Sequence, residues 1–113
     1  MRILFIEDHA TFPELVSRKF LARHEVTIVP SLADARAELA GGQYELVLLD
    51  SELGDGNGIE LMRELEGCPE RPLIVAVSAY DDRNEALRHA GADATCSKLH
   101  FGQIEAVIAS LTN

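Results

Sequence analysis

Three apolar runs in this chain end on residues that carry a charge or a hydroxyl. Arg2-Ile-Leu-Phe-Ile6 runs straight into Glu7-Asp8, Leu46-Val-Leu-Leu49 into Asp50, and Leu73-Ile-Val-Ala-Val77 into Ser78. A strand that is apolar along its whole length is buried on both faces, as in a parallel sheet covered by helices. Ligands of such sheets bind outside the carboxyl ends of the strands. The pattern therefore directs three carboxylates and a hydroxyl at one crevice. Like charges gathered in one site raise each other's pKa or require a cation.

Between these runs the chain alternates helix and strand signals. After the strand Arg2–Ile6, Thr11-Phe-Pro-Glu14 reads as a capping box opening a helix, with Phe12, Leu15, Val16 and Phe20 on one face. A strand over Glu25–Val29 follows, more polar than the others and suited to a sheet edge. Ser31-Leu-Ala-Asp34 then opens a second helix that stops at Gly41-Gly42. The third strand is Leu46–Leu49, and the third helix runs from Gly58 to Leu65. Pro69 and Pro72 bracket a loop before the fourth strand, Leu73–Val77. A fourth helix spans Arg83–Ala90 with Asp82 as N-cap and Gly91 as stop. A short fifth strand, Ala94–Ser97, precedes a helix marked by Ile104, Val107, Ile108 and Leu111. Five βα units with short loops predict a doubly wound, five-stranded parallel sheet in the order 2-1-3-4-5, a flavodoxin-like α/β fold. Its crevice lies between strands 1 and 3, where the winding reverses and where Glu7-Asp8 and Asp50 stand.

Composition narrows the function. The chain has 113 residues, 47% of them hydrophobic, so a single domain with a substantial core is expected over 1–113. Its net charge of −9 argues against direct contact with nucleic acid or an anionic membrane. Cys68 and Cys96 have no metal-ligand spacing and read as reduced thiols of a cytoplasmic protein. The first apolar run is too short for a signal peptide, and no stretch is long enough to span a bilayer.

In this order of strand-ending residues the chain resembles the receiver domains of two-component response regulators, across essentially its whole length. The residues that carry the resemblance are Glu7-Asp8, Asp50, Ser78-Ala79 and Lys98, with Gly58 matching the loop that follows Asp50. The resemblance implies that Asp50 accepts a phosphoryl group from a histidine kinase or histidine phosphotransfer protein. A carboxylate can attack phosphorus and form an aspartyl phosphate, and the transfer itself needs mostly positioning and charge neutralisation. It implies Mg²⁺ or Mn²⁺ bound by Asp8 and Asp50, by Glu7 through water, and by the backbone carbonyl of Glu52. It implies that Lys98 and Ser78 contact the phosphoryl group. A downstream protein, or an output domain absent from this chain, would read the result, and no catalytic turnover is expected. Only Thr112-Asn113 follow the last helix in this reading.

Four positions depart from the family's common pattern. Leu99 follows Lys98 where Pro is usual. Gly54 stands where Pro is frequent, which predicts a less restrained loop after Asp50. Thr95 replaces an aromatic of strand 5, and Glu52 puts a long anionic side chain at the pocket mouth. A receiver-like docking module that is never phosphorylated is the main rival reading. An aspartate-nucleophile phosphatase has a weaker basis in Asp50-Ser51-Glu52, and a flavin site lacks a phosphate-cradling loop after strand 1. His9 invites a transition-metal reading without a second ligand set at the right spacing. Asp55 and Glu60 read as solvated charges, and His24, His89 and His100 as surface residues.

Overall fold

The computed structural model describes residues 1–112; Asn113 lies outside the described residues. Five strands form one parallel sheet: β1 Arg2–Ile6, β2 Glu25–Val29, β3 Leu46–Leu49, β4 Leu73–Ala76 and β5 Ala94–Thr95, in the order 2-1-3-4-5. The helices are α1 Phe12–Phe20, α2 Leu32–Gly41, α3 Gly58–Leu65, α4 Asp81–His89 and α5 Ile104–Thr112. Both the doubly wound topology and the edge position of Glu25–Val29 agree with the sequence reading. Among the described residues no helix is long and apolar enough to cross a membrane.

Side chains alternate across a strand, so each central strand feeds two cores. Leu4, Ile6, Val47, Leu49, Ile74 and Ala76 meet residues of α2, α3 and α4 on one face. Ile3, Phe5, Leu46, Leu48, Val75 and Val77 meet residues of α1 and α5 on the other. This double burial is why the runs are apolar at every position. The ring of Phe101 stacks on Phe5 at 5.8 Å and anchors the segment before α5 to the second core.

Register places the site. Ile6 pairs with Leu49, and Leu49 with Ala76. The residues just beyond the strand ends therefore stand side by side. The Asp50 N–H donates to the Ile6 carbonyl at 3.2 Å, and the Val77 N–H to the Leu49 carbonyl at 2.9 Å.

Several local expectations are corrected. Thr11 stands at the N-cap of α1 but its side chain makes no capping bond. His9 Nδ1 instead accepts from the Thr11 and Phe12 N–H groups at 3.3 and 3.1 Å, and Glu14 turns outward to Arg18 at 2.8 Å. Leu15 is 62% exposed, although Phe12, Val16 and Phe20 pack inward. Five helical steps place it about 140° from Phe20, outside the buried stripe. Helix α4 starts at Asp81, not Arg83, because the Asn84 N–H already reaches the Tyr80 carbonyl at 3.1 Å; Asp82 lies in its first turn rather than at the cap. Strands β4 and β5 end at Ala76 and Thr95, before Val77 and Ser97. A 3₁₀ segment, Lys98–Gln103, comes between β5 and α5.

The loop after Asp50 carries Gly54 at the turn of a short ribbon. Glu52–Leu53 and Gly56–Asn57 pair as a small antiparallel ribbon. Asp55 is no idle charge, since its carboxylate accepts from the Leu32 and Ala33 N–H groups at 2.9 and 3.0 Å and caps α2. Glu60 closes a capping box by accepting from the Asn57 N–H at 2.8 Å. His24 is also tied down, with Nε2 2.6 Å from Glu105 Oε1.

Candidate functional site

The carboxyl edge of the sheet gathers the residues that end the apolar runs. One carboxylate oxygen from each of Glu7, Asp8 and Asp50 lies within 4.8 Å of the others. Glu7 and Asp50 are 2% and 6% exposed, whereas Asp8 faces solvent. Glu7 Oε2 accepts from the His9 N–H at 3.1 Å, and Asp50 Oδ1 from the Ser51 N–H at 2.9 Å. Among the described residues no other group of three His, Cys, Asp or Glu side chains converges in this way. His9 is not part of this group, and its Nδ1 instead accepts from the start of α1.

Lys98 comes to the same point from the far side of the sheet. Its Nζ makes a close ion pair with Glu7 Oε1 and stands 3.4 Å from Asp50 Oδ2. It also lies 5.4 Å from the centre of the Phe12 ring. Two buried carboxylates thus share one ammonium. Burial raises the Asp50 carboxyl most, and the neighbouring Glu7 charge raises it further. Lys98 and the Ser51 N–H pull the other way, and the net result is about 6. Asp50 is therefore ionised at neutral pH while remaining poorly solvated.

Ser78 is 2% exposed, and its Oγ accepts from the Tyr80 N–H at 3.2 Å. Its carbonyl receives two donors, Asn84 Nδ2 and the Lys98 N–H, both at 3.1 Å. That carbonyl ties α4 to the segment that presents Lys98. Asp8, Asp50, Ser78 and Lys98 line one open cavity of about 340 Å³, with Glu52 and Arg83 at its mouth. The Glu52 side chain pairs with Arg83 at 3.3 Å.

Two of the positions noted in the sequence acquire a structural reason. A Cβ on Gly58 would come 2.5 Å from the Asp50 carbonyl oxygen, so only glycine lets α3 start this close to the site. The Leu99 N–H donates to Ser97 Oγ at 3.2 Å, a bond that proline lacks the hydrogen to make. Thr95 is exposed at the end of β5. Sequence reasoning passed over Asn84 and Arg83. Asn84 is 5% exposed and polar, with its Oδ1 unpartnered, but no spacing in the chain marks it.

Comparison with known proteins agrees with this architecture. The regulatory protein VanRB of Enterococcus faecalis is 34% identical over 87 residues, 75% of this chain and 39% of that protein. A protein-glutamate methylesterase/protein-glutamine glutaminase of Agrobacterium fabrum is 29% identical over 109 residues, 94% of this chain and 29% of that protein. The chain thus spans well under half the length of either relative. Among solved structures, the Thermotoga maritima response regulator TrrA, in complex with Mg²⁺-BeF, superposes with a TM-score of 0.85 at 24% identity, covering 97% of each chain. The bacteriophytochrome response regulator RtBRR gives 0.83 at 25% identity, covering 99% of this chain and 78% of that one. The response regulator receiver domain family matches residues 3–108, and the chain belongs to that family.

Proposed function

We propose that this receiver accepts a phosphoryl group on Asp50 from a histidine kinase or histidine phosphotransfer protein. The observation that carries the reading is the buried Asp50 carboxylate, set between two further carboxylates and the Lys98 ammonium beside an open cavity. Above pH 6 Asp50 is a carboxylate, and burial leaves it little solvent to shed before it reacts. An Asp50 oxygen attacks phosphorus and forms the new P–O bond. The P–N bond to the donor imidazole breaks, and its electron pair returns to the ring. Lys98 balances charge brought beside Asp50, as a compact cation does. The Ser78 Oγ already accepts from the Tyr80 N–H, so its own proton is available to a phosphoryl oxygen.

The donor set fits Mg²⁺ or Mn²⁺, since it offers only oxygen and pairs buried carboxylates with an exposed one. Asp8 and Asp50 would hold the ion directly. Glu7, engaged by Lys98 and the His9 N–H, would act through water, and the Glu52 backbone carbonyl would complete the protein's share. When bound, such an ion neutralises charge on the transferring phosphoryl oxygens. The reading treats residues 1–113 as one receiver domain in the cytoplasm. It passes its state to a downstream protein or output domain, with no direct role for nucleic acid or membrane.

Intact mass after incubation with acetyl phosphate and Mg²⁺ tests the proposal. The wild type should gain one phosphoryl group, and Asp50→Asn or a chelated sample none. A label that survives Asp50→Asn overturns the assignment of the nucleophile. No label from small donors or from a phosphohistidine protein favours the docking module.

A further inference from the structure

Arg83 stands at the mouth of the same cavity, and the transfer chemistry above does not use it. It lies in the first turn of α4 and lines the cavity together with Asp50, Ser78 and Lys98. Its guanidinium is 4.3 Å from the centre of the Tyr80 ring, and its Nη2 is 3.3 Å from Glu52 Oε1. The Arg83 and Glu52 side chains are 39% and 62% exposed, so their ion pair is solvated and easily exchanged.

The two cations of the cavity are therefore held very differently. Lys98 is committed to Glu7 and Asp50. Arg83 is held by one surface carboxylate and an aromatic face. Tyr80 limits the directions its side chain can take without neutralising it. A guanidinium presents a planar fork of donors that matches two phosphate oxygens, and charge-assisted bonds of that kind displace a solvated carboxylate.

We propose that Arg83 is a second phosphate-recognising residue of this site and that Glu52 holds it in reserve. An anionic phosphodonor entering the cavity draws the guanidinium off Glu52, and Glu52 competes with the donor for it. The inference rests on phosphorylation of Asp50. It differs from simple repulsion of donors by Glu52, because here the effect of Glu52 runs through Arg83.

The test is the slope of labelling rate against acetyl phosphate concentration, with Mg²⁺, in wild type, Arg83→Ala, Arg83→Lys, Glu52→Gln and the double variant Arg83→Ala/Glu52→Gln. Arg83→Ala should lower the slope about tenfold, and Arg83→Lys should keep part of it. Glu52→Gln should raise the slope several-fold, yet add almost nothing once Arg83 is alanine. Mg²⁺ affinity, read from amide shifts, should stay unchanged in Arg83→Ala, whereas a general disturbance of the site would lower it. An equal gain from Glu52→Gln in both backgrounds overturns the inference in favour of direct repulsion. So does an Arg83→Ala slope equal to that of wild type, or a loss of Mg²⁺ affinity that tracks the rate. These outcomes leave Asp50 phosphorylation intact, whereas an unlabelled wild type removes both readings together.

Discussion

Asp50 and Glu7 meet at the ends of β1 and β3 with almost no water around either group. That arrangement stores free energy that the fold must supply. The Asp50 carboxyl moves from an ordinary 3.8 to about 6, a difference of roughly 2 units. At about 1.4 kcal/mol per unit this is on the order of 3 kcal/mol. The sign follows from the raised value. Below pH 3.8 Asp50 is protonated in both states and the contribution to stability is whole. It is lost as pH rises through 6, where the folded protein must hold the charge. Asp50→Asn should therefore raise the melting temperature at pH 7 without divalent ion, and the gain should vanish near pH 4. Thermal unfolding at the two pH values checks this, and an Asn variant no more stable than wild type at pH 7 would mean that the pair is not strained. The same carboxylate is the proposed nucleophile, so the instability and the chemistry have one origin.

At the scale of elements, what was legible in the sequence depended on whether a contact was local. Strands β1, β3 and β4 were readable because burial on both faces leaves a continuous apolar run, and their ends located Glu7, Asp8, Asp50 and Ser78. The Ser31 cap of α2 was readable because its partner, the Asp34 N–H, is three residues on. Asp55 was misread because it caps the same helix from 23 residues away. Thr11 was misread because His9, just upstream, supplies the acceptor instead. Arg83 gave no signal, since an arginine beside Asp81 and Asp82 looks like any solvated first turn of a helix. Asp93 is a further long-range link. It accepts from the Ile74 N–H at 2.8 Å and pairs with both terminal nitrogens of Arg71, at 3.0 and 3.2 Å, joining the start of β5 to that of β4. Partial burial by itself raises the Asp93 carboxyl, but Arg71 and the Ile74 N–H outweigh it and hold it below its usual value. A depressed carboxyl stabilises above its unfolded value, near pH 4, and loses that contribution as pH falls through the folded one. Asp93→Asn should cost about 1 kcal/mol at pH 7, with the difference from wild type shrinking below pH 4. Denaturant unfolding at pH 7 and pH 3 measures it, and a cost that stays constant with pH would assign the effect to packing rather than to the ion pair.

At the scale of the whole molecule, the question is how a change at Asp50 reaches a surface. The Ser78 carbonyl receives both Asn84 of α4 and the Lys98 N–H, so it links the cavity to two elements. A phosphoryl group adds negative charge and acceptor oxygens beside the Ser78 hydroxyl. Moving Ser78 toward it pulls on two elements at once. Tyr80 is 57% exposed two residues away, so a movement of Ser78 would show at the surface there. Thr95 is a small side chain at the end of the edge strand β5, and it has no ring to swing into vacated space. Activation should accordingly move the Ser78–Asp82 loop and the start of α4, with little change at Thr95. Beryllofluoride with Mg²⁺ mimics the phosphoryl group and holds that state for comparison. Amide shift changes should be large over Ala79–Arg83 and should shrink in Ser78→Ala. If the largest changes fall instead at Thr95 and α5, and Tyr80→Ala leaves them in place, the signal leaves the site by another route.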